Sequence, residues 1–315
     1  MTVTARAWRL IGLAFVCFAL SSATAQPLFE SSQLTPKGEY TFGIEGPAVN
    51  AAGDLYVVNH LRQGTIGRVA AGATRSELFA ELPPGSIGVS TRFGRDRRMY
   101  MADYKGHNIF VFDPGAAAPR VYFHSDSFNQ PNDMALARDG TLYASDPHWR
   151  RRDGQVWRVM PDADGTGRGE PMTTERKFGT TNGIDLSPDE TTLYVAESET
   201  RAIWAYRIEG WKLAAPRLVK KFPDFSIDGL RTDIDGRIYV ARILKGTIEV
   251  LAPDGKAIRD IALTAREPTN LAFGGPDGKT VYVTQRKGGF IETFRVDRPG
   301  REFCLQRDKG DPACR

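Results

Sequence analysis

The sequence has few of the residues that most often build a catalytic or metal centre. Only three cysteines and four histidines occur in 315 residues, and the histidines lack the spacing of zinc ligands. The sequence also contains no Gly-x-Ser-x-Gly motif and no Gly-rich phosphate loop ending in Lys-Ser/Thr. Serine-esterase and nucleotide-binding chemistry therefore have no support.

Long apolar runs are missing beyond the first 25 residues. That N-terminal stretch has Arg6 and Arg9, an apolar run over residues 10–20, and Ser-Ser-Ala-Thr-Ala before Gln26. These are the parts of a secretory signal peptide. A retained membrane anchor is the alternative, but a spanning helix needs about 20 apolar residues. We predict a protein exported to the periplasm or secreted, with no membrane association once the signal is removed.

A strong charge of either sign is missing as well. The formal net charge is +4, and loss of Arg6 and Arg9 with the signal lowers it to +2, because residues 1–25 contain no acid. A nearly neutral mature chain gives no reason to expect a nucleic-acid partner. We expect a small-molecule ligand and a monomer or weak homo-oligomer.

The cysteines divide between the two ends of the chain. Cys17 lies in the apolar run and is expected to leave with the signal, whereas Cys304 and Cys314 remain in a polar C-terminal tail over residues 297–315. Two cysteines this close in an exported protein are expected to pair. Two free thiols are the alternative, and the tail contains no histidine to assist thiol chemistry.

A repeat runs through most of the chain. Its unit is a turn rich in Asp and Gly, an aliphatic residue or Met, a tyrosine and a short β-rich run, followed by a second β-like run. The spacing between successive repeats is 43–51 residues. Six of the ten tyrosines share this position: Tyr56, Tyr100, Tyr143, Tyr194, Tyr239 and Tyr282.

A unit of this length with several short strands is typical of a propeller blade. The sequence therefore predicts an all-β protein, a six-bladed β-propeller of four-stranded blades around a central channel. The blades occupy residues 44–296, and residues 26–43 supply a strand that closes the ring. A twin β-sandwich is the alternative, but it does not explain so even a spacing.

A second regularity lies 11 or 12 residues before each repeat tyrosine, at the start of the preceding strand. The first strand of each propeller blade lines the channel, so equivalent positions form a ring at one end of it. The six positions hold Glu45, Gly88, Asn132, Asn182, Asp228 and Asn270, and all except Gly88 carry a carboxylate or a carboxamide.

Such a ring favours a bound cation. Burying Glu45 and Asp228 in a narrow channel is unfavourable unless another charge compensates them. The side chains at these positions offer only oxygen ligands, which suit Ca²⁺, Mg²⁺ or Mn²⁺ better than Zn²⁺. We predict one divalent metal, with Ca²⁺ first and Mg²⁺, Mn²⁺ or Zn²⁺ as alternatives. These side chains could instead cap strand ends.

Four short motifs follow one another at blade spacing: Glu45-Gly46-Pro47, Pro131-Asn132-Asp133, Asn182-Gly183 and Asp228-Gly229. Together they resemble the gluconolactonase, regucalcin (senescence marker protein) and lactonase-like superfamily over nearly all of the mature chain. The resemblance implies that Glu45, Asn182 and Asp228 bind one catalytic divalent metal. It also implies that Asn132 contacts substrate and that Asp133, beside the metal, is a candidate base.

The chemistry available to such a site is hydrolysis. A metal held by two carboxylates and one amide keeps positions open for water and substrate. We therefore predict a metal-dependent hydrolase that opens a lactone, for example a sugar lactone. Asp133 is the first candidate for the proton acceptor and Asp228 the second, although Asp133 could simply cap its strand. His148 and Trp149 are candidates for substrate contact at the channel mouth.

Two other functions use the same fold. A non-catalytic periplasmic binding or scaffold propeller with a structural metal would need the same ligands. Condensation chemistry of the strictosidine-synthase kind occurs on a similar architecture but without this ligand set. An Asp- and Gly-rich stretch over residues 162–167 lacks the full spacing of a calcium-binding EF-hand loop and is expected to form a turn.

Overall fold

The computed structural model of the protein describes residues 1–2, 27–308 and 310–314, which form a ring of six sheets. This confirms the predicted six-bladed β-propeller. Apart from Met1 and Thr2, the predicted signal peptide lies outside the described residues. Within the described part of the chain, no helix has the length and apolar character needed to cross a membrane.

The first three blades each contain four consecutive strands, preceded by the short strand β1 (Ser32–Gln33). Blade 1 consists of β2 (Tyr40–Val49), β3 (Leu55–His60), β4 (Thr65–Val69) and β5 (Glu77–Glu81). Blade 2 consists of β6 (Gly88–Phe93), β7 (Met99–Asp103), β8 (Asn108–Phe112) and β9 (Arg120–His124). Blade 3 consists of β10 (Met134–Leu136), β11 (Leu142–His148), β12 (Asp153–Pro161) and β13 (Gly167–Pro171).

The other three blades repeat the pattern with small variations. Blade 4 consists of β14 (Thr173–Thr174), β15 (Thr181–Leu186), β16 (Thr192–Glu197), β17 (Ala202–Glu209) and β18 (Lys212–Lys221). Its added strand β14 runs parallel to β18 at the outer edge. Blade 5 consists of β19 (Leu230–Thr232), β20 (Ile238–Arg242), β21 (Thr247–Leu251) and β22 (Ala257–Ala262). Blade 6 begins with β23 (Pro268–Gly274), β24 (Thr280–Gln285) and β25 (Phe290–Arg295).

The two ends of the propeller meet in blade 6. Strand β1 pairs antiparallel with β25, with Ser32 opposite Thr293 and Gln33 opposite Glu292. The N-terminal segment thus supplies the fourth strand of the last blade, as the sequence predicts. This pairing joins the first and last repeats and closes the ring.

The hydrophobic core lies between neighbouring blades, where the repeat tyrosine of each blade packs against the next one. Tyr100 packs in an apolar cluster with Trp157 of blade 3, and Tyr143 packs with Tyr206 of blade 4. The tyrosines of the other blades likewise join the cluster shared with the next blade. A tyrosine buries about 150–250 Å², so each repeat supplies a large anchor for its successor.

The inner strands β2, β6, β10, β15, β19 and β23 contact one another in order around the channel. After blade 6 the chain turns into a short helix, α1 (Arg301–Leu305), and a 3₁₀ helix (Pro312–Cys314). A disulfide joins Cys304 to Cys314. All five residues of α1 are buried, so this part of the predicted polar tail belongs to the interior.

Candidate metal centre and active site

The ring positions lie at the end of the channel where the inner strands begin, which we call the mouth. Glu45, Asn182 and Asn270 lie in β2, β15 and β23, while Asn132 and Asp228 stand two residues before β10 and β19. Burial of these side chains differs: the amides are almost fully buried, and the two carboxylates are partly exposed.

Glycines next to the ring residues allow the inner strands to approach closely. Gly46 has φ +50°, and a Cβ there would collide with the backbone of Ser90 in the next blade. A Cβ on Gly183 would collide with the blade 5 backbone, and one on Gly229 with the amide of Asn270. The motifs Glu-Gly, Asn-Gly and Asp-Gly therefore reflect a packing requirement, because only glycine fits at these points.

The two carboxylates of the ring are close enough to repel each other. Burial raises the pKa of Glu45 well above its usual range, and the Asp228 carboxylate raises it further. The backbone N–H of Gly46 donates to Glu45 Oε2 at 2.6 Å and opposes this shift. Burial raises the pKa of Asp228 to about 7, against the opposing effects of Asn182 and Arg286. Two carboxylates in this setting favour a cation or protons between them.

Asn182 presents a buried oxygen with no donor. Its Nδ2 donates to Ser198 Oγ at 3.0 Å, and Ser198 Oγ in turn donates to the carbonyl of Ile227 at 2.8 Å. Because the serine proton is used on Ile227, the serine must accept from Asn182, which fixes the orientation of the amide. No group in the described chain donates to the buried Oδ1 of Asn182. Buried polar atoms without partners are rare and require an explanation.

These donors fit a hard divalent cation. Glu45 and Asp228 supply carboxylate oxygens that repel each other, and Asn182 supplies an amide oxygen that lacks a donor in the described chain. Among residues 27–308 and 310–314, no group of three or more His, Cys, Asp or Glu side chains could hold a metal. A set of two carboxylates and an amide falls below that count, and its all-oxygen chemistry matches calcium and magnesium rather than zinc.

Asp133 is held by two arginines. Oδ1 accepts from Arg92 Nη2 and from Arg231 Nη2, the latter at 3.0 Å, and Oδ2 accepts from Arg231 Nη1 at 2.8 Å. The N–H of Met134 also donates to Oδ1, at 2.9 Å. Burial nevertheless raises the pKa of Asp133 to about 6. We expected a carboxylate free to take a proton, whereas both of its oxygens already accept guanidinium hydrogen bonds.

Asn132 and the predicted substrate contacts lie on the blade 3 side of the mouth. The backbone N–H of Asn132 donates to the carbonyl oxygen of Ser145 at 2.8 Å. His148 Nδ1 accepts from the N–H of Arg151 at 3.1 Å, so the neutral ring carries its proton on Nε2. The loops that precede β10 and follow β11 border a cavity of about 500 Å³, which Asn132 does not line; its lining is mixed polar and aromatic: Tyr104, Asn129, Gln130, His148, Trp149 and Arg150.

The remaining two ring positions differ from each other. Gly88 offers no side chain, and its carbonyl accepts from Asn59 Nδ2 at 3.1 Å. Asn270 is buried within β23, and its Oδ1 accepts from the N–H of Leu271 at 2.9 Å. Hydrogen bonding by the Asn270 side chain also lowers the pKa of Glu45 and of Asp133, so this amide supports the carboxylates of the mouth.

Arg286 is a mouth residue that sequence reasoning missed. It lowers the pKa of Asp228, its Nε donates to Glu267 at 3.0 Å, and its guanidinium lies 4.5 Å from the ring centroid of the exposed Phe42. It follows a repeat tyrosine by four positions, but the sequence gives no sign that it reaches the channel.

The fold and the oxygen-lined mouth together define a six-bladed propeller with a candidate cation centre in its channel. The profile of the SMP-30/gluconolactonase/LRE-like region matches residues 44–287, so the chain belongs to that family. The match ends before α1 and the disulfide.

Two curated relatives illustrate the range of the family. Gluconolactonase of Zymomonas mobilis is 27% identical over 226 residues, which are 64% of this chain and 61% of the relative. The matched region thus spans less than two thirds of that protein. Diisopropyl-fluorophosphatase of Loligo vulgaris is 26% identical over 291 residues, 83% of this chain and 92% of the relative. Both relatives are hydrolases by name.

Solved structures show the same fold. A gluconolactonase from Xanthomonas campestris superposes with a TM-score of 0.71 at 21% identity, covering 85% of this chain and 89% of that one. A calcium-binding protein, regucalcin, from Agrobacterium tumefaciens superposes with a TM-score of 0.68 at 18% identity, covering 85% and 97%. At these identities the likeness establishes the fold alone.

Proposed function

We propose that this protein is a metal-dependent hydrolase that opens a lactone, with a sugar lactone of the gluconolactonase kind as the first candidate substrate. The observation that carries the proposal is the unpartnered, buried Oδ1 of Asn182 close to the carboxylates of Glu45 and Asp228. Relatives named gluconolactonase, sulfogluconolactonase and pentonolactonase support the reaction class.

Glu45, Asn182 and Asp228 would hold the cation. Their oxygens suit Ca²⁺ best, because Ca²⁺ accepts flexible sets of carboxylate and carbonyl ligands. Regucalcin of Agrobacterium tumefaciens, a calcium-binding protein with the same fold, agrees with this choice. When bound, the cation supplies Lewis acidity that polarises the lactone carbonyl and acidifies water.

The chain's own groups handle the protons. The oxygen of water forms a bond to the carbonyl carbon, the bond from that carbon to the ring oxygen breaks, and the ring oxygen gains a proton. Asp228 is the better candidate to accept the proton of water, because it is partly exposed at the mouth beside the cation that it would help to hold. Asp133 is the weaker candidate, because its oxygens already accept from Arg92 and Arg231.

Substrate would enter through the cavity bordered by Gln130 and His148. Its amides, His148, Arg150 and Trp149 form a mixed polar and aromatic wall. Such a wall suits a ligand with hydroxyl groups and one apolar face. Asn132 would orient the reacting end of the lactone, and His148 would donate from Nε2.

The test is a panel of sugar lactones, aliphatic lactones, aryl esters and organophosphates, each assayed with Ca²⁺, Mg²⁺, Mn²⁺ or Zn²⁺. Asn182→Ala should weaken both metal binding and turnover. Asn108→Ala is the matched control, since Asn108 bonds Asp103 and His124 in blade 2. If wild-type protein binds a metal but turns over none of the panel, the non-catalytic propeller becomes the better explanation.

A further inference from the structure

The end of the channel opposite the mouth is closed by a plug, which we define as residues 300–306 with α1 at its centre. The chain enters the plug through a bridge between Asp233 and Gly300. A Cβ on Gly300 would collide with the ring of Phe273, so the chain passes directly against the inner strands. The plug lies beyond residues 44–287 that match the family profile.

Charged side chains of the plug reach several inner strands. Arg301 Nη1 donates to the carbonyl of Leu136 at 3.1 Å, and its Nη2 donates to Asp185 Oδ1 at 2.6 Å. Glu302 Oε1 accepts from the N–H of Phe273 at 2.8 Å. These bonds tie the plug to β10, β15 and β23.

Two more polar contacts join the plug to the inner strands β19 and β2. Glu302 Oε2 lies 3.6 Å from Arg231 Nε, one residue into β19, and Gln306 Nε2 donates to the carbonyl of Val49 at 2.8 Å, at the end of β2. Five of the six inner strands therefore make polar contact with one short segment. Within the described chain, Arg231 Nε has no hydrogen-bond partner, and Glu302 is a second acid near the guanidinium that Asp133 already binds.

The contacted residues stand three or four positions after the ring residues. Asp185, Arg231 and Phe273 each follow a ring residue of their own strand by three positions, and Leu136 follows Asn132 by four. Three residues of a strand span about 10 Å. The plug therefore contacts the strands that carry the ring oxygens at a distance of about 10 Å from those oxygens along each strand.

One chain of contacts leads directly to the site. Glu302 faces Arg231, Arg231 makes two hydrogen bonds to Asp133, and Asp133 is covalently next to Asn132. The side chains of Arg231 and Asp133 are fully buried, so neither can move without the other. A displacement of Glu302 would be transmitted to the mouth along this path.

We propose that the plug positions the metal centre, with Glu302 and Arg301 as its positioning residues; this inference rests on the function proposed above. The plug fixes the spacing of the inner strands, and through Arg231 it fixes Asp133 and Asn132. Loss of an outer contact that orients a metal site changes metal affinity or activity by about 10–100-fold.

The first test uses Glu302→Gln in the full mature protein. Glutamine keeps an oxygen for Phe273 N–H but loses the charge that faces Arg231. We expect calorimetry to show Ca²⁺ binding about tenfold weaker, with kcat reduced by a similar factor. Arg307→Met is the matched control, since Arg307 stacks on Phe303 and pairs with Asp311 away from the channel; there we expect less than a twofold change.

A second variant guards against misfolding. Arg301→Lys keeps the charge but cannot bond Leu136 and Asp185 together, so it should shift Ca²⁺ affinity in the same direction by a smaller factor. If both plug variants lower Tm while Ca²⁺ affinity and kcat stay within twofold of wild type, the plug is only structural and the inference is overturned.

Hydrogen exchange separates this inference from the proposed function. If wild-type protein binds none of the four metals, the proposed function fails, and exchange of peptides covering residues 129–136 and 181–186 decides the inference. Faster exchange there in Glu302→Gln than in Arg307→Met, with residues 77–81 unchanged, supports positioning. Equal exchange in the two variants contradicts it.

Discussion

The two ends of the channel bury charge in opposite ways. Between the plug and Asp133, three arginines face three acids in close pairs: Arg92, Arg231, Arg301, Asp133, Asp185 and Glu302. At the mouth, Glu45 and Asp228 repel each other and Asp133 adds to that repulsion, while the guanidinium that lowers the pKa of Asp228 belongs to Arg286, which bonds Glu267.

Paired and unpaired buried charges have different consequences for a protein. A buried charge that has its partner stabilises one arrangement of the strands, and removal of either partner is destabilising. Buried carboxylates without partners raise their pKa and remain ready for a ligand. The plugged end is therefore expected to act as a scaffold, and the mouth to be the reactive end of the hydrolase proposed above.

The largest effect should follow from removing a mouth carboxylate. Asp228→Ala should abolish tight metal binding and reduce lactone hydrolysis by at least about 10²-fold, since even one preorganised electrostatic group contributes about 10²–10³. Stability of the metal-free protein should rise or stay constant, because a repulsion with Glu45 is removed. Metal analysis and thermal denaturation measure both; an unchanged metal content contradicts the ligand assignment.

Asp133→Asn should damage the scaffold instead. The substitution leaves Arg92 and Arg231 without the carboxylate that both of them bind, and breaking a buried pair costs about 3–5 kcal/mol. We expect a denaturant midpoint far below that of wild type, a metal stoichiometry of one, and reduced kcat. Should Asp133→Asn keep wild-type stability but lose activity by about 10²–10⁴-fold, Asp133 is the base after all.

The mouth should also respond to pH. The pKa of Asp228 is raised to about 7 and that of Glu45 is raised too, so protons compete with a cation for these oxygens. Metal affinity should increase from pH 5 to pH 8.

The raised pKa values also determine how the stability of the metal-free protein changes with pH. A carboxyl with a raised pKa stabilises the folded, metal-free protein below its ordinary pKa of about 4 and loses that contribution as the pH rises through about 7. Asp133 and Glu302, with pKa values raised to about 6 and about 7, act in the same direction. Chelator-treated protein should melt at a lower temperature at pH 8 than at pH 5, and a reverse order would contradict the assignment.

The sequence predicted what repeats in phase. Tyrosines at one position of each repeat indicated six blades, and oxygen side chains 11 or 12 residues earlier indicated the ring. These features could be predicted because each blade must present equivalent side chains to its neighbours, so the same residue types recur at equivalent positions of each repeat. The glycines after Glu45, Asn182 and Asp228 also occupy equivalent positions of their repeats. Their role could not be predicted from the sequence, because it depends on the close approach of the neighbouring inner strand.

The sequence did not predict which charges pair. Arg92 and Arg231 lie 41 and 98 residues from Asp133, and no local pattern encodes a contact across blades. A weak signal was present, because Arg92, Asp185 and Arg231 all stand three or four residues after a ring position. The plug was missed for another reason: a five-residue helix in a polar segment has no periodicity to detect.

The smallest expected effect concerns the disulfide that fastens α1. The bridge closes a loop with a sequence separation of 10, for which loop-closure entropy gives about 2–3 kcal/mol. Cys304→Ser with Cys314→Ser should therefore lower Tm by several degrees yet leave Ca²⁺ affinity within twofold of wild type, because Arg301, Glu302 and Gln306 still hold the plug. Reductant should destabilise wild type and leave the double variant unchanged. Mass spectrometry of protein isolated without reductant from the predicted oxidising compartment should find the two cysteine peptides joined; recovery of free thiols would count against both the bridge and export.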